Sequence, residues 1–327
     1  MDRAIIIDTF IELGRRLKSF GRDAHTTTVI ERAIAANEWF SAADITMAVE
    51  AIREEMLDSE KLHRWVGNYN SPKHSGRVAI IMAGNIPLVG FFDMLCVLVS
   101  GHTAIVKPSS KDSVLMQYII DILREICPTI PILSYSEGEH IDMVIATGGD
   151  LAAAHFQSCY SDIPALIRGS RHSVAVLSGT ESVDQMRGLQ QDIYTYCGLG
   201  CRSISLIFIP KGWNGEIPHP EVMVDMKMGS YLCDKAMLIM SGMNFKDLDG
   251  AVAIESQSFP ESISRVHYTY YESLTEVNNW LQEHDEELQC VVGSAIEHPR
   301  RVDFGRAQYP TLWDYADGVD VMKFLTT

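Results

Sequence analysis

The amino-acid sequence predicts an α/β protein of two lobes, each built on a mostly parallel sheet with helices on its faces, and three observations carry the prediction. From Arg77 onward, short apolar runs alternate with amphipathic stretches in the order strand, turn, helix, strand, the spacing of βαβ units. Glycine and proline mark the joints, as in Ala83-Gly84-Asn85-Ile86-Pro87 and Lys107-Pro108-Ser109. At 327 residues and 46% hydrophobic content the chain can bury a large core, and the usual size of a domain favours two lobes over one.

Taken in order, residues 1–70 form a helical lead-in, with apolar residues at three and four spacing over 5–20 and 30–62. Val78-Ala79-Ile80-Ile81-Met82 is the first strand, 89–100 an apolar helix ending before Gly101, and Thr103-Ala104-Ile105-Val106-Lys107 a strand stopped by Pro108. A helix over 114–127, the strand Met143-Val144-Ile145-Ala146 and a helix over 152–158 opened by Thr147-Gly148-Gly149-Asp150 follow. Ala165-Leu166-Ile167 and Val174-Ala175-Val176-Leu177 continue the alternation. The lobe boundary falls close to Tyr194, giving domains over 1–194 and 195–327. The second holds a strand over 204–209, a helix over 221–240, a strand over 266–271, a helix over 274–283 and a strand over 289–292. Residues 213–220 are the most loop-like, no repeat or low-complexity linker interrupts the chain, and the two lobes are expected to pack closely.

Charge and cysteine content exclude several function classes. A formal charge of −16 with a pI near 5.1 opposes non-specific binding to nucleic acid and gives no attraction to anionic membranes. No apolar stretch reaches the roughly 18–20 residues that span a bilayer. Seven cysteines without regular spacing make no disulfide framework, and Met1-Asp2-Arg3-Ala4 lacks the layout of a secretory signal, so the cytoplasm is the expected compartment.

The residue that most invites chemistry is Cys201, which closes Tyr196-Cys197-Gly198-Leu199-Gly200-Cys201 just before a strand. Two glycines beside the thiol leave a flat electrophile room to approach, although a buried structural cysteine would also fit this one position. Asn85 directly follows a strand, where its amide either shapes the turn or donates to a developing oxyanion. Lys107 and Ser109 project from the rim of the next strand, as a solvated pair or as ligand contacts. Thr147-Gly148-Gly149 joins a strand to a helix, a place where backbone N–H groups can face a phosphate. Cys197 and Cys201 are four apart with no further ligands clustered near them in sequence, so no metal site is expected. Tyr268-Thr269-Tyr270-Tyr271 alternates like a packed strand.

Occurring in this succession, Asn85-Ile86-Pro87, Lys107-Pro108-Ser109, Thr147-Gly148-Gly149 and Gly198-Leu199-Gly200-Cys201 resemble the aldehyde dehydrogenase superfamily, and within it the fatty acyl-CoA reductases of the LuxC type. The run from Phe304 to Asp320 is similar to the closing segment of that family, and the resemblance covers Arg77 to the C-terminus. It implies an aldehyde dehydrogenase-like fold of two Rossmann-like lobes, a helical lead-in plus NAD(P)-binding domain to 194 and a catalytic cysteine domain from 195, with the C-terminal segment packing back on the first domain. It also implies that Cys201 is the acyl-accepting nucleophile, that Asn85 with the Cys201 N–H forms the oxyanion hole, and that Lys107, Ser109, Thr147, Gly148 and Gly149 hold the cofactor.

Departures from the superfamily pattern refine the expectation. Hydrolytic members carry a glutamate that activates water, and Leu166-Ile167-Arg168-Gly169-Ser170 puts Ile167 there, which favours reduction or transfer to CoA over acid release. NAD-specific members often carry a carboxylate three residues after the strand-end lysine; Ser110 followed by Lys111 stands here, which leans to NADPH, with NADH as the other candidate. Glu261 falls in the region of a second ribose-binding glutamate, Arg171 and His172 near that of the missing base, and Gly198-Leu199-Gly200 departs from the usual Gly-Gln-x-Cys. The resemblance implies reduction of a fatty acyl thioester, on CoA or acyl carrier protein, to an aldehyde through a cysteine acyl-enzyme. A CoA-acylating dehydrogenase running oxidatively and an inactive scaffold of the same fold are the alternatives. The chain is shorter than a typical aldehyde dehydrogenase, so a homo-oligomer or a partner subunit is expected to complete it.

Overall fold

The computed structural model describes residues 1–221 and 223–326, which divide into two compact units, Met1–Ser170 with Pro310–Thr327 and Arg171–Tyr309. The first begins with four helices, α1 (Arg3–Arg16), α2 (Ala24–Ala36), α3 (Ala42–Ala51) and α4 (Ser59–Val66). Each starts where an Asp or Ser side chain accepts a backbone N–H of the first turn: Asp2, Asp23, Ser41 and Asp58. The single helix expected over 30–62 is therefore broken by two of these caps, with a five-residue π turn at Ile52–Met56 before the last of them.

Five parallel strands follow: β1 (Arg77–Ile81), β2 (Thr103–Lys107), β3 (Ile132–Ser134), β4 (Met143–Thr147) and β5 (Ala165–Arg168), in the order β3-β2-β1-β4-β5. Helices α5 (Phe91–Ser100), α6 (Ser113–Ile126) and α7 (Asp150–Cys159) connect them. Because β2 and β4 flank β1 on opposite sides, the direction of winding reverses between β1 and β4, where the carboxyl ends of an open parallel sheet leave a crevice. Gly101, at φ +96, ends α5 in the left-handed conformation that glycine adopts without strain. Phe10, Leu13, Trp65, Ile80, Met94 and Leu98 are fully buried and tie the lead-in helices to the sheet.

The second unit is a seven-stranded sheet made of β6 (His172–Val176), β7 (Ile204–Pro210), β8 (Lys246–Asp247), β9 (Val252–Glu255), β10 (Arg265–Tyr271), β11 (Leu288–Val292) and β12 (Arg301–Val302). Its order is β12-β11-β6-β7-β10-β9-β8, parallel except for the β8–β9 pair. Helices α8 (Val183–Tyr194), α9 (Asp225–Ser241) and α10 (Leu274–Glu283) complete it. The expected helix over 221–240 is seen from Asp225, and Val222 lies outside the described residues. Residues 310–326 belong with the first unit: α11 (Val321–Thr326) packs on α5, and Leu325 O is 2.7 Å from His102 Nε2.

The units divide at Ser170/Arg171 and again at Tyr309/Pro310, whereas the sequence reading puts the division close to Tyr194. The physical reason is β6. Its residues Ser173–Val176 pair with β7 and β11, so the strand that continues the alternation in sequence opens the second sheet rather than extending the first.

Candidate active site

Seven of the eight expected site residues lie at the carboxyl edge of the first sheet. Asn85 is in the loop after β1, Lys107 ends β2 with Ser109 and Ser110 just beyond it, and Thr147, Gly148 and Gly149 join β4 to α7. Lys107 pairs in register with Ile81, and Ile81 with Ala146, so these loops leave the sheet at one level beside the point where the winding reverses. Asn85, Lys107, Ser110 and Gly149 are exposed there.

Close packing shapes these loops. A Cβ on Gly84 would lie 2.5 Å from Ser109 Oγ, so only glycine lets the first loop touch the second. A Cβ on Gly148 would lie 2.9 Å from the Ala152 Cβ. The Gly84 carbonyl accepts a hydrogen bond from buried Asn37 Nδ2 at 3.2 Å, so the lead-in helices brace the Asn85 loop. On its other side, Leu88, at φ 57, donates its N–H to Asp112 Oδ2 at 2.9 Å. Burial pushes the Asp112 carboxyl up to about 8, against the pull of that N–H, so it is largely neutral at pH 7. Lys107 Nζ stands over the Tyr135 ring, 4.9 Å from its centroid, which orients the ammonium at the rim.

Beneath Thr147 sits a pair that sequence reading does not identify. Arg168, at the end of β5, donates from Nη1 to Asp93 Oδ2 at 2.7 Å and from Nη2 to Asp93 Oδ1 at 3.0 Å, both side chains being buried, and its Nη1 is 3.4 Å from Thr147 Oγ1. The Asp93 charge and hydrogen bonds raise the Arg168 pKa against its desolvation, keeping it a cation. Ile167, the position where the sequence resemblance leads one to expect a water-activating glutamate, packs into the apolar cluster of Ala79, Ile81, Val144 and Ala146. The glycine contacts, the α7 N-terminus without a side-chain cap and the rim hydroxyls fit a dinucleotide phosphate laid across these loops.

Cys201 belongs to the second unit, at the amino-terminal edge of its sheet immediately before β7, and it is exposed. Its carbonyl accepts from Ser173 Oγ of β6 at 2.8 Å. The next residue, Arg202, is buried; its Nε donates to Ala307 O, while Asp192 of α8 accepts the N–H groups of Gly305 at 2.7 Å and Ala307 at 2.9 Å. Cys201 is thus carried by backbone pinned on both sides. Ahead of it, Tyr196, Cys197 and Gly198 have φ of 55, 57 and 77, three left-handed residues in succession. That conformation costs roughly 1–2 kcal/mol for each non-glycine residue, and strain of this kind is held in place only by its surroundings.

Among the described residues no group of three or more His, Cys, Asp or Glu could hold a metal ion, none of the seven cysteines is in a disulfide, and no helix is long and apolar enough to cross a membrane. Residues 36–239 match the profile of the acyl-CoA reductase (LuxC) family. No curated protein matches the sequence. Solved structures share the fold at low identity. An acetylating aldehyde dehydrogenase from Geobacillus thermoglucosidasius superposes with a TM-score of 0.64 at 12% identity, covering 95% of this chain and 86% of that one. Aldehyde dehydrogenase 21 from Physcomitrella patens, in complex with succinate, gives 0.66 at 12% identity over 98% and 79%. An aldehyde dehydrogenase from Bacillus cereus, in complex with NAD+, gives 0.60 at 14% identity over 89% and 72%. The sheet orders, the loop succession and the profile match over residues 36–239 agree: the chain has the aldehyde dehydrogenase fold and belongs to the LuxC acyl-CoA reductase family.

Proposed function

We propose that the protein reduces a fatty acyl thioester to the aldehyde with NADPH, through an acyl-enzyme on Cys201. The observation that carries the reading is the exposed Cys201 thiol on a strained, pinned loop in a member of an acyl-CoA reductase family. The Cys201 thiolate attacks the thioester carbonyl, Asn85 and the Cys201 N–H stabilise the tetrahedral oxyanion, and the CoA or carrier-protein thiol leaves with a proton. Bound NADPH would supply the hydride, held by Lys107, Ser109, Ser110 and the Thr147-Gly148-Gly149 loop. The aldehyde is then released as the Cys201 sulfur departs. Ile167 offers no base to activate water, so the acyl-enzyme persists instead of hydrolysing.

The preference for the 2′-phosphate is supported by Ser110 and Lys111, both exposed, while the nearest carboxylate in sequence, Asp112, is buried and turned to Leu88. In this reading the donor is an acyl-CoA or an acyl carrier protein thioester, the active form a homo-oligomer or a complex with a partner subunit, and the compartment the cytoplasm. The test is Cys201→Ala, which should abolish both labelling by radioactive acyl-CoA and acyl-CoA-dependent NADPH oxidation. Label retained by the variant would remove Cys201 from the mechanism.

A further inference from the structure

The buried ammonium of Lys227 is the group in the second unit whose position the proposed reaction does not explain. Lys227 lies in the first turn of α9, on the buried stripe with Tyr231, Asp234 and Leu238, and is 3% exposed. Its Nζ donates to Cys197 O at 2.9 Å and to Ile263 O. Among the described residues no carboxylate pairs with it: Asp234, seven residues on, is taken by Arg265, at 2.8 and 3.0 Å, and by Ser262. A buried cation satisfied by carbonyls alone is costly, and a Met or Leu would fill the same stripe without that cost. What the lysine supplies, and an apolar side chain does not, is N–H donors directed at the turn before Cys201.

We infer that Lys227 is a positioning residue for the Cys201 loop: its ammonium ties the carbonyls of Cys197 and Ile263 together and so holds the left-handed turn from which Cys201 is presented. The inference deepens the proposed function and rests on its reading of Cys201 as the nucleophile. Tyr196 and Cys197 carry side chains at positive φ and would relax toward ordinary backbone angles if released. Gly198 packs on the same anchor, since a Cβ there would come 3.5 Å from Ile263 O and 3.8 Å from Lys227 Nζ. Only three residues separate Cys197 from Cys201, so movement of the turn is passed to the thiol over a short span. The groups facing the ammonium are the Cys197 thiol on the turn, Asp234 on α9 and, through its pair with Asp234, Arg265 on β10. Burial brings the Lys227 pKa down to about 8, so the anchor loses its charge and one donor as pH rises through 8.

The test is iodoacetamide alkylation of the full chain from pH 7 to 9.5, with each cysteine followed by peptide mass spectrometry and exposed Cys159 and Cys233 as internal references. In Lys227→Met at pH 7 the Cys201 rate should fall about tenfold relative to both references, with Lys227→Gln between it and the wild type because an amide keeps two donors. In the wild type the same ratio should fall above pH 8. A ratio unchanged in Lys227→Met, or flat across pH 8 in the wild type, overturns the inference. If Lys227→Met fails to fold, Lys227→Gln decides by the same ratio at pH 7, and an unchanged ratio there overturns the inference. Because alkylation uses no acyl substrate, the expected ratios in a protein that acyl-CoA does not label would refute the proposed reaction and leave the role of Lys227 standing.

Discussion

Arg168→Met tests the structural base of the candidate site, because the guanidinium it removes is the partner of Asp93 within a buried, bidentate pair at 2.7 and 3.0 Å. The Asp93 carboxylate, 7% exposed, would be left with its charge uncompensated. Breaking such a pair from one side costs about 3–5 kcal/mol, since the remaining ion keeps its desolvation penalty and loses its attraction. At roughly 2–4 °C per kcal/mol for a domain of this size, melting should fall on the order of 10 °C. Adding Asp93→Asn removes the orphaned charge, so the double variant should regain at least about 1.5 kcal/mol over Arg168→Met, a coupling that independent sites would not show. Thermal melts of wild type, both single variants and the double variant give this cycle directly. The Km for NADPH should also rise in Arg168→Met, because Nη1 lies beside Thr147 Oγ1. Arg168→Met melting within about 2 °C of wild type, or a double variant no more stable than the single, would refute the reasoning.

Two further perturbations address the loops around Asn85. The Asp112 carboxyl is raised from 3.8 to about 8, so its contribution to stability is complete below pH 4 and is lost, at about 1.4 kcal/mol per pH unit, as pH climbs to 8. Asp112→Asn keeps an acceptor for the Leu88 N–H and cannot ionise; its melting temperature should exceed that of wild type increasingly from pH 5 to pH 8, and parallel profiles would contradict the assignment. Gly84→Ala would drive a methyl to 2.5 Å from Ser109 Oγ, so we expect about 1–3 kcal/mol of destabilisation together with weaker NADPH binding by fluorescence titration. Unaltered melting and binding would show that the two loops do not need their close approach.

The sequence made the parallel strands legible because they are short apolar runs bounded by glycine and proline, and β1, β2, β4, β7, β10 and β11 all fall where the pattern places them. The loop succession Asn85, Lys107, Thr147 and Cys201 is legible in the same way and resembles the family that the profile over residues 36–239 shows. What stayed hidden is set by pairings far apart in the chain. The sheet to which β6 belongs depends on its register with Ile204 and Leu288, which no local pattern encodes. Helix α8 carries only Leu189 and Ile193 as buried aliphatic residues, beside Gly188 and buried Asp192, so its apolar stripe is faint. Nothing in the local sequence around Lys227 or Arg168 marks either as buried, and only the structure shows them turned inward. Asn37 closes α2, and its bond to Gly84 spans 47 residues, beyond any local pattern.

The central claim is that Cys201 carries the acyl group. Incubating the protein with a long-chain acyl-CoA in the absence of NADPH, then mapping the added mass by peptide mass spectrometry, measures this most directly. The account predicts one acyl group on the peptide containing Cys201, discharged as aldehyde when NADPH is added. An acyl group on any other cysteine, or none at all on correctly folded protein, would contradict it.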